Sequence, residues 1–334
     1  MSDASVIASR DGRIGHILLN RPKALNALDL AMIRAMQAAL DDWRDDQAVH
    51  AVVIEGNGGR AFCAGGDIRA VRTLAQAGDA AGVEAFFSGE YALNASIDEY
   101  PKPYVALIDG ICMGGGIGVS VHGQMRVTTE AGLFAMPETA IAMFPDVGAT
   151  FMLPRLPGQL GMYLALTGAR VQGADAVHAG IATHFVPRAD LPALRADLAR
   201  DGVAAVAVHA QTLPPFSLAP HRAAIDRCFG ADNVPDILAR LEAEGTDWAR
   251  ETLATLRAMS PSSVMWSFAA VRRGASLSLR AALAAELALT RHVTRHADFA
   301  EGVRAMVVDK DRQPRWSPAR IEDVEPGAIA AMLV

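Results

Sequence analysis

Residues Val105 to Gly148 read VALIDGICMGGGIGVSVHGQMRVTTEAGLFAMPETAIAMFPDVG, and this stretch decides how the chain is read. A short apolar run, Tyr104 to Ile108, is followed by Asp109 and the glycines Gly110, Gly114, Gly115, Gly116 and Gly118. The pattern predicts a strand, a glycine-rich turn and then a helix. Glycines let backbone approach a ligand closely. A helix starting at Gly115 or Gly116 would leave its first N–H groups without intrahelical partners, at the positive dipole end. Such donors suit a phosphate or a developing oxyanion. Glu138 and Asp146 follow, eight residues apart among Phe134, Met136, Ile141, Met143 and Phe144. Oxyanion donors plus carboxylates in an apolar stretch point to carbonyl chemistry.

Outward from that stretch the same grammar repeats. Ala51–Glu55 reads as a buried strand and Gly56–Gly59 as a turn. Ala61–Asp67 (AFCAGGD) then leads into a helix from Ile68, a second strand–glycine–helix junction. Ile14–Asn20 is a strand ended by Arg21-Pro22. Asn26–Trp43 has helical spacing through Leu28, Met32, Met36 and Leu40. Residues 69–98 are helical, with loop character near Gly78 and Gly82. Helices are predicted over Gln159–Thr167 and Asp175–Gly180, with a short strand at Thr183–Val186. This alternation indicates an α/β class with right-handed crossovers. From Leu191 onward the chain is alanine- and leucine-rich with helical periodicity, broken at Pro214-Pro215 and Ser260-Pro261. Val303–Val308 reads equally as helix end or strand, and Asp309–Pro318 as irregular. Composition thus divides the chain into an α/β body over residues 1–195 and a helical region over 196–334.

The 334 residues support a sizeable core without disulfides or metals. A net charge of −6 argues against a nucleic-acid partner. Three widely spaced cysteines, Cys63, Cys112 and Cys228, predict free thiols in a reducing compartment, and no zinc spacing occurs. The N-terminus resembles neither a signal nor a transit peptide, and no run nears the roughly 20 apolar residues of a membrane span. The expectation is a cytoplasmic protein with no membrane partner and no metal.

Blander readings stand beside the sharp ones. Gly114–Gly118 fails GxGxxG, and no GK[ST] follows, so nucleotide motifs are weak. Glu138 after Pro137 also suits a helix start, and Asp146 after Pro145 suits a cap or turn. Glu90 reads on its own as a surface residue, and Arg21 and Lys23 as surface charges. Ser120 and His122, in GVSVHG, are near the nucleophile elbow but cannot easily form a Ser–His pair. His292 and His296 lack the glutamate of HExxH and read as a solvated helix face.

Phe62–Ile68, Gly110–Gly118 and Met136-Pro137-Glu138 together resemble the crotonase (enoyl-CoA hydratase/isomerase) superfamily over roughly residues 10–190. YPKP at Tyr100–Pro103, SVHGQ at Ser120–Gln124, AMPETAIAMFPDVG, GIATHFVP and EGVRAMVVDKDRQPRW extend the likeness to its 3-hydroxyisobutyryl-CoA hydrolase branch. The resemblance implies a crotonase-like fold of repeated ββα units with a helical C-terminal portion, and a homo-oligomer, trimer or dimer. By resemblance, Gly66 and Gly115 supply two oxyanion-hole N–H groups. Glu138 matches the catalytic glutamate and Asp146 an acidic position of the hydrolase branch. Glu90 matches a further acidic position near the acyl group, and Arg21, Lys23, Ala24 and Leu25 match a loop contacting coenzyme A. The implied activity is thioester hydrolysis of a short branched 3-hydroxyacyl-CoA in valine breakdown, with no cofactor beyond the coenzyme A of the substrate. Glu138 would either activate water or attack the carbonyl. The rivals are enoyl-CoA isomerase, which can run on one carboxylate, and enoyl-CoA hydratase, whose second glutamate would fall at Gly118.

Overall fold

The strand Ile14–Leu19 (β2) shows how burial selects these elements: Ile14, Ile17 and Leu19 are sealed, while Gly15 leaves room for the Trp43 ring. The computed structural model describes residues 4–332. Within them the chain forms two compact units. The first takes in the chain up to Asp67, Gly89–Phe134 and Arg170–Ser217; the second takes Ile68–Ser88, Ala135–Ala169 and the chain from Leu218 on. This is not the compositional division. The 195/196 boundary falls inside the first unit, and the second draws in two segments from the predicted α/β body.

The first unit carries the sheets. Val6–Asp11 (β1) runs antiparallel to β2 at one edge. Ala51–Gly56 (β3), Ala61–Cys63 (β4), Tyr104–Ile108 (β5), Ile111–Met113 (β6), Met125–Thr128 (β7), Leu133–Ala135 (β8), Val171–Gln172 (β9) and His184–Phe185 (β10) follow. One sheet has the order β1-β2-β3-β5-β7-β10, parallel from β2 onward; the other has the order β4-β6-β8-β9. All five residues of β5 are buried, as expected for a central parallel strand covered on both faces. Leu30–Arg44 (α1) starts at Asp29, whose carboxylate accepts from the Met32 N–H at 2.8 Å. The predicted start at Asn26 is too early, because Leu25 and Asn26 have positive φ.

The glycine stretch is richer than its sequence reading. Between β5 and the helix Gly115–Val121 (α4) lies the short strand β6, paired in parallel with β4. Three residues are too few to show a period-two pattern, which also hides β8; β7 has only four, and β1 is six residues long but buries only Val6, so neither shows an alternating face. With β6 in place, β5–β6–α4 repeats the ββα grammar of β3, β4 and Ile68–Gln76 (α2). Ala80–Asp98 (α3) runs straight through Gly82, whose N–H is capped by Asp79 at 2.8 Å.

The second unit is helical among its described residues. Ser260 is the N-cap of Pro261–Gly274, so the break predicted there is a helix start with proline at its first position. Thr246, Ser278 and His296 cap Asp247–Ala258, Leu279–Val293 and Ala297–Val303 in the same manner. His296 is therefore a capping residue. Residues Arg304–Val308 continue as a π-helical turn, settling the ambiguity on the helical side.

Candidate active site

In the first unit, a loop over residues 21–28 clamps the AFCAGGD turn. Leu25 C=O accepts from the Ala64 N–H (3.0 Å), Leu28 N–H donates to Gly65 C=O (2.8 Å), and Leu28 C=O accepts from the Asp67 N–H (2.7 Å). This parallel bridge uses the residues flanking Gly66, so the N–H of Gly66 itself points away from Leu28. Asn26, fully buried, locks the loop by donating to Asn57 C=O and Ala61 C=O at 3.0 and 2.9 Å.

Gly115 is the first residue of α4, so its N–H has no intrahelical acceptor. A Cβ there would lie 3.2 Å from the Gly66 nitrogen and would collide with Oε1 of Glu90. The two amides and the Glu90 carboxylate therefore share one small space that only glycine leaves open. Gly114 supplies the turn into the helix with φ +47, and a Cβ on Gly116 would strike the Cys63 carbonyl. Glu90, on α3, is only 2 % exposed, correcting the surface reading of that residue. Burial pushes the Cys63 thiol up to about 12, so it is a neutral packing group beside the turn. The Ser120 hydroxyl donates to Gly116 and Ile117 carbonyls at 2.9 and 3.0 Å, a packing role.

The remaining loop residues divide. The Arg21 guanidinium donates to Ala27 C=O at 2.7 Å and pairs with Asp29 and Asp67 at 3.2 and 3.3 Å, which fastens the loop from within. Lys23 is exposed, on a single 3-10 turn with Ala24 that Leu25 closes at φ +52.

In the second unit, Glu138 opens the 3-10 turn Glu138–Ile141, and both Glu138 (7 % exposed) and Asp146 (6 %) are buried. Their loop is fastened by helices far along the chain. Thr139 C=O accepts from the Ser260 N–H at 3.2 Å, while Met143 C=O accepts from the Trp266 indole N–H at 3.0 Å and from the Ser263 hydroxyl. Val147 has φ +55 and Gly148 φ +82, just ahead of Ala149–Met152 (α5). Glu286 receives the Gly148 N–H at 2.7 Å, the Thr150 N–H at 3.1 Å and the Thr150 hydroxyl. Burial pushes its carboxyl up to about 8; bonds from Thr150 and Gly148 oppose the rise, and the charge of Asp146 adds to it.

Glu286 went unnoticed in the sequence. Its signal was there: it lies on the buried stripe Leu279, Ala282, Leu283, Glu286, Leu289, Thr290, Val293, where an acidic residue is out of place.

A family model for enoyl-CoA hydratase/isomerase matches residues 14–333. The chain belongs to the enoyl-CoA hydratase/isomerase family. A 3-hydroxyisobutyryl-CoA hydrolase of Xenopus tropicalis is 47% identical over 97% of this chain and 87% of its own length. The Homo sapiens protein of that name is 44% identical over 96% and 86%. Among solved structures, a carnitinyl-CoA dehydratase from Mycobacterium thermoresistibile superposes with TM-score 0.95 at 41% identity, over 99% of this chain and 97% of that one. An enoyl-CoA hydratase from Rhodobacter sphaeroides gives 0.94 at 42%, with the same coverage. These likenesses bear out the crotonase-like fold.

The cytoplasmic expectation does not stand, because these curated relatives are named as mitochondrial proteins. Free thiols and mixed charge describe any reducing compartment, and an address is read by receptors rather than encoded in the fold. Among the described residues no helix is long and apolar enough to cross a membrane, and no group of three His, Cys, Asp or Glu side chains could hold a metal ion.

Proposed function

We propose that the chain hydrolyses 3-hydroxyisobutyryl-CoA, in valine breakdown, releasing coenzyme A and 3-hydroxyisobutyrate. The observation that carries this reading is the 44–47% identity, over nearly the whole chain, to relatives named for that activity. The N–H groups of Gly66 and Gly115 take the thioester oxygen as it becomes an oxyanion. Glu138 either draws a proton from water while that water attacks the thioester carbon, or attacks the carbon itself to form a mixed anhydride that water opens. In both routes the C–S bond breaks and the thiolate leaves with a proton. Asp146 orients Glu138, the water or the acyl hydroxyl. Glu90 lies against the acyl group, and Lys23, with Ala24, Leu25 and the Arg21-braced loop, meets the coenzyme A. No cofactor is required beyond the coenzyme A of the substrate, and the protein works as a homo-oligomer.

A hydratase or dehydratase reading is favoured by the names of the two solved structures. Against it, Gly118, buried in α4, has no side chain where a hydratase's second glutamate belongs. Thiol release over a panel of 3-hydroxyisobutyryl-, isobutyryl-, acetyl- and crotonyl-CoA tests the proposal. Preferential release from the hydroxylated substrate supports it; no release above the buffer rate from any of them overturns it.

A further inference from the structure

Glu286 stands apart from everything the proposed reaction uses. It is a fully buried carboxyl, placed by the helix Leu279–Val293 against the backbone that follows Asp146. We propose that Glu286 is the positioning residue for Asp146, fixing the direction of the Asp146 carboxylate by gripping the turn behind it. This inference rests on the role given to Asp146 above.

The grip is specific. One carboxylate oxygen takes the Gly148 N–H and the other takes both donors of Thr150, so two points on the chain immediately after Asp146 are tied to one rigid helix. The tie holds a conformation the backbone would not choose. Val147 is β-branched and lies at φ +55, a region that L side chains rarely adopt. The Ala149 N–H closes the turn onto Asp146 C=O at 2.8 Å, so the orientation of residue 146 follows directly from that of residues 147–150. A carboxyl sealed from water beside a second carboxylate is costly to ionise, and such features gather where a geometry matters for chemistry.

The test is a double-mutant cycle of Glu286→Gln and Asp146→Ala, read with 3-hydroxyisobutyryl-CoA and isobutyryl-CoA. Glutamine keeps the volume and one acceptor but offers a second donor where an acceptor is needed. The expected result is a kcat about 10-fold lower for Glu286→Gln with KM little changed, as small misplacements near reacting groups produce. Its preference for the hydroxylated acyl group should narrow as well. In the Asp146→Ala background the same substitution should change kcat by less than about twofold, because its route of action is gone. An equal fold-loss in both backgrounds, with Asp146→Ala itself slow, overturns the role of Glu286 alone. Wild-type kinetics in Asp146→Ala overturn the role of Asp146, and this inference with it. If Glu286→Gln does not fold, Thr150→Val removes one donor to the same carboxylate and completes the cycle.

Discussion

The glycine junctions of the first unit and the carboxylate loop of the second solve the same problem in opposite ways. At the junctions the proposed working groups are backbone N–H groups, held by tight turns, by absent Cβ atoms and, at Gly66, by the loop over residues 21–28 about 40 positions upstream. In the loop the working groups are side chains, held by residues some 120–140 positions downstream, Ser260, Ser263, Trp266 and Glu286. The first arrangement tolerates no added atom. The second tolerates changes of side chain but depends on distant helices for its shape.

That contrast can be broken by experiment, and the largest effect should come from the loop. Glu138→Gln keeps the shape and removes the charge; turnover should fall by about 10²–10⁴, the span of a general acid–base contribution, with the melting temperature within a few degrees of wild type. A thermal melt alongside thiol release checks both parts, and a fast, stable variant would remove Glu138 from the chemistry. Gly115→Ala should behave differently, losing rate and stability together. Its new Cβ displaces Glu90 or the Gly66 amide, so kcat should drop by about 10²–10³, the usual effect of losing one oxyanion donor. An alanine variant with full activity would show that the Gly66–Gly115 amides are a packing feature only.

Asp146→Ala sharpens the comparison further. Hydrolysis of 3-hydroxyisobutyryl-CoA should slow by at least about 10², and discrimination against isobutyryl-CoA should weaken, since a site that bonds a hydroxyl rejects analogues lacking it. Steady-state kinetics on the two substrates measure this directly; unchanged rates and ratio would make Asp146 a turn residue.

The smallest effect concerns stability. Glu286 is held near 8 in the fold against an ordinary 4.5, so between those values the folded chain keeps a proton that the unfolded chain has lost. By linkage its contribution is full below about pH 4.5 and is lost as pH rises through about 8. The wild-type melting temperature should therefore decline over that window more steeply than that of Glu286→Gln. Parallel slopes in calorimetry would contradict the assignment of a raised carboxyl.

The same contrast explains what was legible in the sequence. Gly65-Gly66 and Gly114–Gly116 announce themselves because backbone geometry dictates residue type locally. Glu138 and Asp146 stood out as acids in apolar surroundings. The short strands β6 and β8 did not, because their burial comes from sheet pairing rather than from periodicity. The loop's dependence on Trp266 and Glu286 was hidden for a similar reason: nothing within ten residues of Asp146 hints at a partner 140 positions on. Composition marked residue 195 as a boundary because strands stop there, whereas compactness sorts the chain by contacts that composition does not record.

The most direct measurement follows two signals from one preparation of the wild-type protein: thiol release from 3-hydroxyisobutyryl-CoA and loss of the enoyl absorbance of crotonyl-CoA. The account predicts rapid thiol release and hydration of crotonyl-CoA at or near the background rate, since Gly118 cannot hold a second water-binding carboxylate. Fast hydration with no release of thiol would contradict it.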